Sequence, residues 1–195
     1  VSVVVSCWDA GYDVLAALTW PTMEAYARRH GYAVYRGAVD PSRPASWSKI
    51  PAMLGALAAH PVALWIDADA TITGDADLAE LLGNVSDLAI TRDVNGINAG
   101  VFIARSCPWV RAWLMAAWSL YPRYADQTLY EQPALIEVME PYLSRVRFVP
   151  QRAMNSYPDT GDPAFAPSAW RPGDFILHAA GCDVAWKRAA LESVK

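Results

Sequence analysis

Apolar residues follow two patterns along the chain. Short runs, Val1 to Val5 and Val62 to Ile66, read as strands buried on both faces. Further strands are predicted over Ala33 to Arg36, Leu88 to Thr91, Gly100 to Ala104, Val146 to Val149 and Phe175 to Leu177. Segments with helical spacing lie between them. One runs to Arg29, with Pro21 suited to a first turn and His30-Gly31 as the stop. A second places Trp47, Ile50, Leu54, Leu57 and Ala58 on one face and ends at His60-Pro61. Leu78 to Leu82, Pro108 to about Leu120, Glu131 to Met139 and Val184 to Lys195 read as further helices, with Asp75 or Asp77 as the cap of the first. This alternation predicts one α/β domain over residues 1–195, with a largely parallel sheet flanked by helices. Such sheets bind ligands beyond the carboxyl ends of their strands.

Composition narrows the classes. Of the 195 residues, 54% are hydrophobic and 18% charged, which excludes a disordered chain. No apolar run approaches the ~18 residues of a membrane span. Lys plus Arg is 16 and Asp plus Glu 20, so the net charge of −4 lacks the basic excess of a nucleic-acid binder. Cys7, Cys107 and Cys182 form no C-x-x-C pair, and their odd number leaves a thiol over, which favours a reducing compartment.

The leading candidate for chemistry is the strand Val62 to Ile66 running into Asp67-Ala68-Asp69. In an extended chain, positions two apart face the same way, so the two carboxylates converge. Two close anions near a low-dielectric interior are unfavourable unless compensated. A divalent cation compensates them, and carboxylate oxygens suit Mg²⁺ or Mn²⁺. A polar turn explains a bare Asp-x-Asp as simply. Asn95-Gly96-Ile97-Asn98-Ala99-Gly100 reads as a tight hairpin turn or as a place where a ligand approaches the backbone. Glu131-Gln132 either stabilises a helix start or presents a carboxylate and an amide to developing positive charge. His178 ends a strand, as a metal ligand or a structural imidazole. Trp47, Lys49 and Lys187 are candidate base or phosphate contacts; a core ring and solvated amines are the plainer readings.

In order, these pieces are Trp47-x-Lys49, Asp67-Ala68-Asp69-Ala70, Thr91-Arg92-Asp93, Gly96-Ile97-Asn98-Ala99-Gly100-Val101-Phe102, Glu131-Gln132-x-Ala134-Leu135, Asn155-Ser156-Tyr157-Pro158 and Gly173-Asp174-Phe175-x-x-His178-x-x-Gly181-Cys182. Together they resemble glycosyltransferase family 34, which includes fungal galactosyl- and mannosyltransferases and plant xyloglucan xylosyltransferases. The resemblance implies a GT-A fold, retention of anomeric configuration and a nucleoside-diphosphate sugar donor, a UDP-sugar in preference to a GDP-sugar. It implies Mn²⁺, or Mg²⁺, held by Asp67, Asp69 and His178. Asn98 and Gly100 would wall the donor sugar. Gln132, Glu131 and Asn98 would act at the anomeric carbon, and Trp47, Lys49, Gly181 and Lys187 would join Asp67 in holding the donor. The acceptor would be a glycan, a lipid or a small molecule.

Two positions depart from the plant pattern. Asp183 stands where those enzymes carry a diphosphate-binding Lys, with Lys187 one helical turn later. Tyr130 stands where they carry a second acid. The implied location is cytoplasmic for a bacterial-type relative and the Golgi lumen for a trimmed eukaryotic-type one. A nucleotide-sugar hydrolase and a non-catalytic carbohydrate-binding domain of the same fold are the rival readings.

Overall fold

A computed structural model describes residues 1–127, 129–181 and 183–194. Cys182 of the late motif and Lys195 lie outside the described residues. In chain order the elements are β1 (Val3–Ser6), α1 (Asp13–His30), β2 (Ala33–Arg36), α2 (Lys49–Ala59), β3 (Val62–Ile66), β4 (Ala70–Ile72), α3 (Leu78–Leu82), β5 (Leu88–Asp93), β6 (Gly96–Arg105), α4 (Pro108–Ser119), α5 (Tyr121–Tyr124), α6 (Gln132–Met139), β7 (Val146–Val149), α7 (Gln151–Met154), β8 (Ile176–His178) and α8 (Val184–Glu192).

The apolar runs become the middle of a six-stranded sheet of order β2-β1-β3-β6-β5-β7. Alternate residues of each run serve opposite faces. Val3, Val5, Ala63 and Trp65 join one core with α2, α4 and α6, while Val4, Leu64 and Ile66 join a second with α1. Burial on both faces is why these strands are apolar throughout rather than alternating. The β1–β2, β1–β3 and β5–β7 pairings are parallel. Only β6 runs against its neighbours, because a tight hairpin joins it to β5 with Asp93 opposite Gly96. Gly96 takes φ 105°, a left-handed conformation suited to glycine. Register slips between Ile90 and Thr91, so the first residues of β6 turn toward the carboxyl end of β3.

A second sheet of two antiparallel strands, β4 and β8, pairs Ala70 with His178 and Ile72 with Ile176. Ala70, Thr71 and Ile72 alone carry no strand signal; their partner, a hundred residues away in sequence, makes β4 a strand.

Two expected helices differ in detail. Pro21 lies inside α1 instead of in its first turn. Burial of Leu15, Ala16, Thr19, Met23, Tyr26 and Ala27 sustains the helix past the missing N–H. Gly31 then ends it at φ 67°, donating to the carbonyls of Ala27 and Arg28. In α2 the covered face is Lys49, Ile50, Ala52, Met53, Ala56 and Leu57. Leu54 is half-buried and Ala58 exposed, because the helix begins at Lys49 and Trp47 belongs to the 3-10 turn before it. Asp77 caps α3 by accepting from the amides of Ala79 and Glu80.

Asp174 clamps the approach to β8. Arg152 donates to it twice, at 2.8 and 3.1 Å, Ser156 Oγ at 2.8 Å and the Arg171 amide at 3.0 Å. Burial pushes this carboxyl up, but the bonds from Arg152 and Ser156 outweigh it and hold the group below the usual range. A depressed carboxylate contributes stability above its unfolded range and loses it as pH falls through the folded one. Asp174→Asn is expected to cost on the order of 2 kcal/mol at neutral pH, a Tm loss of about 4–8 °C by calorimetry. The gap from wild type should shrink in acid.

Candidate active site

At the carboxyl end of β3 the chain leaves the large sheet and enters the small one. The Asp67 amide donates to the Gly100 carbonyl at 2.9 Å, and the Ala70 amide turns back to the Asp67 carbonyl at 3.0 Å. Thr19 Oγ1 donates to the Ala68 carbonyl at 2.8 Å, and the Ala179 amide to the Asp69 carbonyl at 2.9 Å. The segment is therefore a turn pinned from both sides, not the extended stretch expected from the sequence. The carboxylates converge nonetheless. One oxygen each from Asp67 and Asp69 and one ring nitrogen of His178 lie within 4.8 Å of one another. Pairing of Ala70 with His178 brings the imidazole there.

The two acids have separate partners. Asp69 is buried; its Oδ2 takes the Lys187 ammonium at 2.5 Å and its Oδ1 faces His178 Nε2 at 3.3 Å. Burial pushes the Asp69 carboxyl up, yet His178 and Lys187 outweigh that and hold it well below the usual range. Asp67 Oδ1 accepts from Trp65 Nε1 at 2.7 Å and lies 3.2 Å from Lys49 Nζ.

Lys49 was expected to touch the donor. Instead it is buried, donating to the Ala99 carbonyl at 2.9 Å and to the Glu131 carboxylate as well as meeting Asp67. Burial lowers its basicity, but Asp67 and Glu131 more than restore it. Glu131, expected at the anomeric carbon, is drawn into this pair. It is 3% exposed and serves as counter-ion to Lys49, while burial raises its own carboxyl. Tyr130, at φ 57°, is a left-handed non-glycine residue that turns the chain into α6 just ahead of it.

Gln132 remains half-buried and accepts the Ala99 amide through Oε1 at 2.8 Å. Asn98 Oδ1 accepts the Gly100 amide at 2.8 Å. Gln132 and Asn98 thus hold the same three-residue stretch of β6. Gly100 is there for space: a Cβ would lie 2.2 Å from His178 Cε1 and 3.0 Å from Asp67 Oδ2. Trp47 is fully buried against Trp118 and Tyr121, so it is a core ring and not a base contact. Gly181 is exposed at φ 72°, in the turn between β8 and α8.

Sequence reasoning gave no role to Asn155, Asp93, Tyr157 or Tyr12. Asn155 is wholly buried against His178, Asp93 and Tyr157 bond to Asn98, and the Tyr12 hydroxyl receives Lys187 at 3.2 Å. The usable signals were Thr91-Arg92-Asp93 and Asn155-Ser156-Tyr157-Pro158, both quoted in the resemblance without a function.

A family model described as the galactosyl transferase GMA12/MNN10 family matches residues 22–83 and 78–189. The chain belongs to this family. Its relatives include a probable glycosyltransferase 6 of Oryza sativa, 38% identical over 53% of this chain and 24% of that protein. An uncharacterized alpha-1,2-galactosyltransferase of Schizosaccharomyces pombe is 28% identical, covering 82% of this chain and 54% of its own length. A probable alpha-1,6-mannosyltransferase of Saccharomyces cerevisiae is 26% identical, with coverages of 82% and 53%. The chain thus spans about half the length of the fungal relatives and about a quarter of the rice one. Among solved structures, a glycosyltransferase involved in glycosylation of the major capsid of PBCV-1 aligns with TM-score 0.77 at 16% identity, over 98% of both chains. The galactosyltransferase LgtC aligns with TM-score 0.65 at 14% identity, over 98% of this chain and 94% of its own. These likenesses establish the GT-A fold for the family member described here. Among the described residues no helix is long and apolar enough to cross a membrane.

Two substitutions probe this arrangement. Gly100→Ala should cost about 1–3 kcal/mol by overpacking and displace His178, read by thermal melting together with Mn²⁺ titration. Lys49→Met strands the buried Glu131 charge and should cost roughly 3–5 kcal/mol. Adding Glu131→Gln should recover part of that loss in urea unfolding.

Proposed function

We propose that this chain is the catalytic domain of a retaining, metal-dependent glycosyltransferase. It moves a hexose or pentose from a nucleoside-diphosphate sugar, a UDP-sugar in preference to a GDP-sugar, to an acceptor hydroxyl on a glycan, lipid or small molecule. The observation that carries this reading is the meeting of Asp67, Asp69 and His178 at the carboxyl end of β3. Two hard carboxylate oxygens and one imidazole nitrogen fit Mn²⁺ or Mg²⁺. When bound, the cation supplies Lewis-acid stabilisation of the leaving nucleoside diphosphate.

The remaining work falls to the chain. Lys187 already carries a positive charge to Asp69 and lies beside Tyr12, so it is placed to meet an anionic diphosphate. It takes the part of the Lys that Asp183 replaces. Asn98 and Gln132 hold Ala99 and Gly100 as the wall against which the donor sugar lies. Gln132, the less buried of the Glu131-Gln132 pair, stabilises developing positive charge at the anomeric carbon. Glu131 acts one step removed, by holding Lys49 against Asp67. Retention follows from attack on the face the diphosphate leaves, with a departing phosphate oxygen accepting the acceptor's proton. The ion pair with Lys49 disfavours Glu131 as a covalent nucleophile.

The test is a thermal-shift panel of UDP and GDP, each with Mn²⁺, Mg²⁺ or EDTA. A nucleotide at ~100 times its Kd should add about 2.7 kcal/mol, only with metal, and Asp69→Asn should abolish both that shift and transfer. A shift that survives EDTA and Asp69→Asn would overturn the metal site. Sugar release that no acceptor can redirect would favour the hydrolase. Gln132→Ala should lower kcat more than donor affinity, checked by steady-state kinetics beside nucleotide titration.

A further inference from the structure

His178 has two ring nitrogens, and only one of them faces the carboxylates. Nε2 lies 3.3 Å from Asp69 Oδ1, while Nδ1 lies 2.9 Å from Asn155 Oδ1. Which nitrogen carries the proton follows from a chain of bonds that begins at a group without ambiguity. The Gly100 amide is a backbone donor, and Asn98 accepts it at 2.8 Å, so that atom of Asn98 is the oxygen. Asn98 Nδ2 then points the other way, to the Asp93 carboxylate at 2.8 Å and the Tyr157 hydroxyl at 2.9 Å. Tyr157 in turn donates to the same carboxylate.

Because Asn98 presents its oxygen inward, Asn155 must present Nδ2 to it, at 3.0 Å; the same group donates to Thr91 Oγ1 at 3.1 Å. That leaves the Asn155 oxygen for His178. An amide oxygen only accepts, so neutral His178 carries its proton on Nδ1 and offers the Nε2 lone pair to the space between Asp67 and Asp69. Backbone bonds hold the two residues in register: the Ser156 amide donates to the Ile176 carbonyl at 3.0 Å and the His178 amide to the Ser156 carbonyl at 2.8 Å. Asn155 and Thr91 are fully buried, so water does not compete for these bonds.

We infer that Asn155 is a positioning residue, which sets the tautomer and orientation of His178 through the Gly100–Asn98–Asn155 relay and so keeps Nε2 available to a divalent cation. This rests on the metal-dependent reading above. It adds that the wall of the donor sugar and the metal ligand are one hydrogen-bonded unit. Partners of this kind behind a ligating His are worth about 10–100-fold in metal affinity.

The test reads the tautomer directly. Protein labelled with ¹⁵N at His30, His60 and His178, held above the usual imidazole range, is measured by long-range ¹⁵N–¹H correlation, metal-free and with Mg²⁺. Wild-type His178 should give the Nδ1–H pattern. Asn155→Leu should shift it toward Nε2–H and raise the Mn²⁺ dissociation constant about 10–100-fold by calorimetry. Thr91→Val, which removes a neighbouring buried hydroxyl but leaves the relay, should keep both the tautomer and the affinity. An Nε2–H pattern in the wild type overturns the inference, and that spectrum decides even if Asn155→Leu fails to fold. Unchanged tautomer and affinity in a folded Asn155→Leu also overturn it. Wild-type protein that shows Nδ1–H but binds no Mn²⁺ would support the relay while refuting the metal-dependent reading.

Discussion

Negative charge held at the end of one buried strand is the constraint on which this structure depends. Asp67, half-buried, and Asp69, buried, follow Ile66, and the buried Glu131 meets the same Lys49 as Asp67. Three carboxylates cannot share a low-dielectric region without compensation. Lys49 supplies it for Asp67 and Glu131, and Lys187 for Asp69. The two cations come from different helices, α2 and α8, and each helix must be docked for the charge to be met. Packing and electrostatics therefore reinforce one another here: an undocked helix would leave not only apolar surface but an unpaired acid.

The small β4–β8 sheet is the device that closes this arrangement. It takes the backbone immediately after Asp69 and lays it against the segment that ends in His178. Behind it, Asp174 ties Arg152, Ser156 and Arg171 together, so the approach to β8 and the exit from α7 are held in one register. The metal-binding candidate is thus built where two sheets meet, with one acid on either side of the turn. Gly100 leaves room for the imidazole to enter.

Membership of the GMA12/MNN10 family and the GT-A fold agree with this geometry. The chain spans about half the length of its fungal relatives. From α8, Lys187 reaches Asp69. Asp183 caps α8 by accepting the Trp186 amide at 2.8 Å, about one turn before Lys187.

The amino-acid sequence by itself determined the elements and the chemistry of single positions. β2, β3, α3 and β7 run between the residues that apolar periodicity marked, because a short apolar run and a capped helix are local patterns. Asp67, Asp69 and His178 were likewise legible, as acids and an imidazole placed at strand ends. Tertiary structure alone decided which of these residues meet and which way they face. Lys49 and Glu131 are 82 positions apart, and nothing local distinguishes a solvated pair of charges from a buried one. The same holds for Trp47, a plausible stacking ring in sequence and a core ring once α4 and α5 close over it. Asn155 became meaningful only when α7 and β8 set it against His178. Pairings of this kind depend on desolvation and on contacts across long sequence separations. A one-dimensional pattern records the residue types that can make such contacts, and only the packed chain selects the partners.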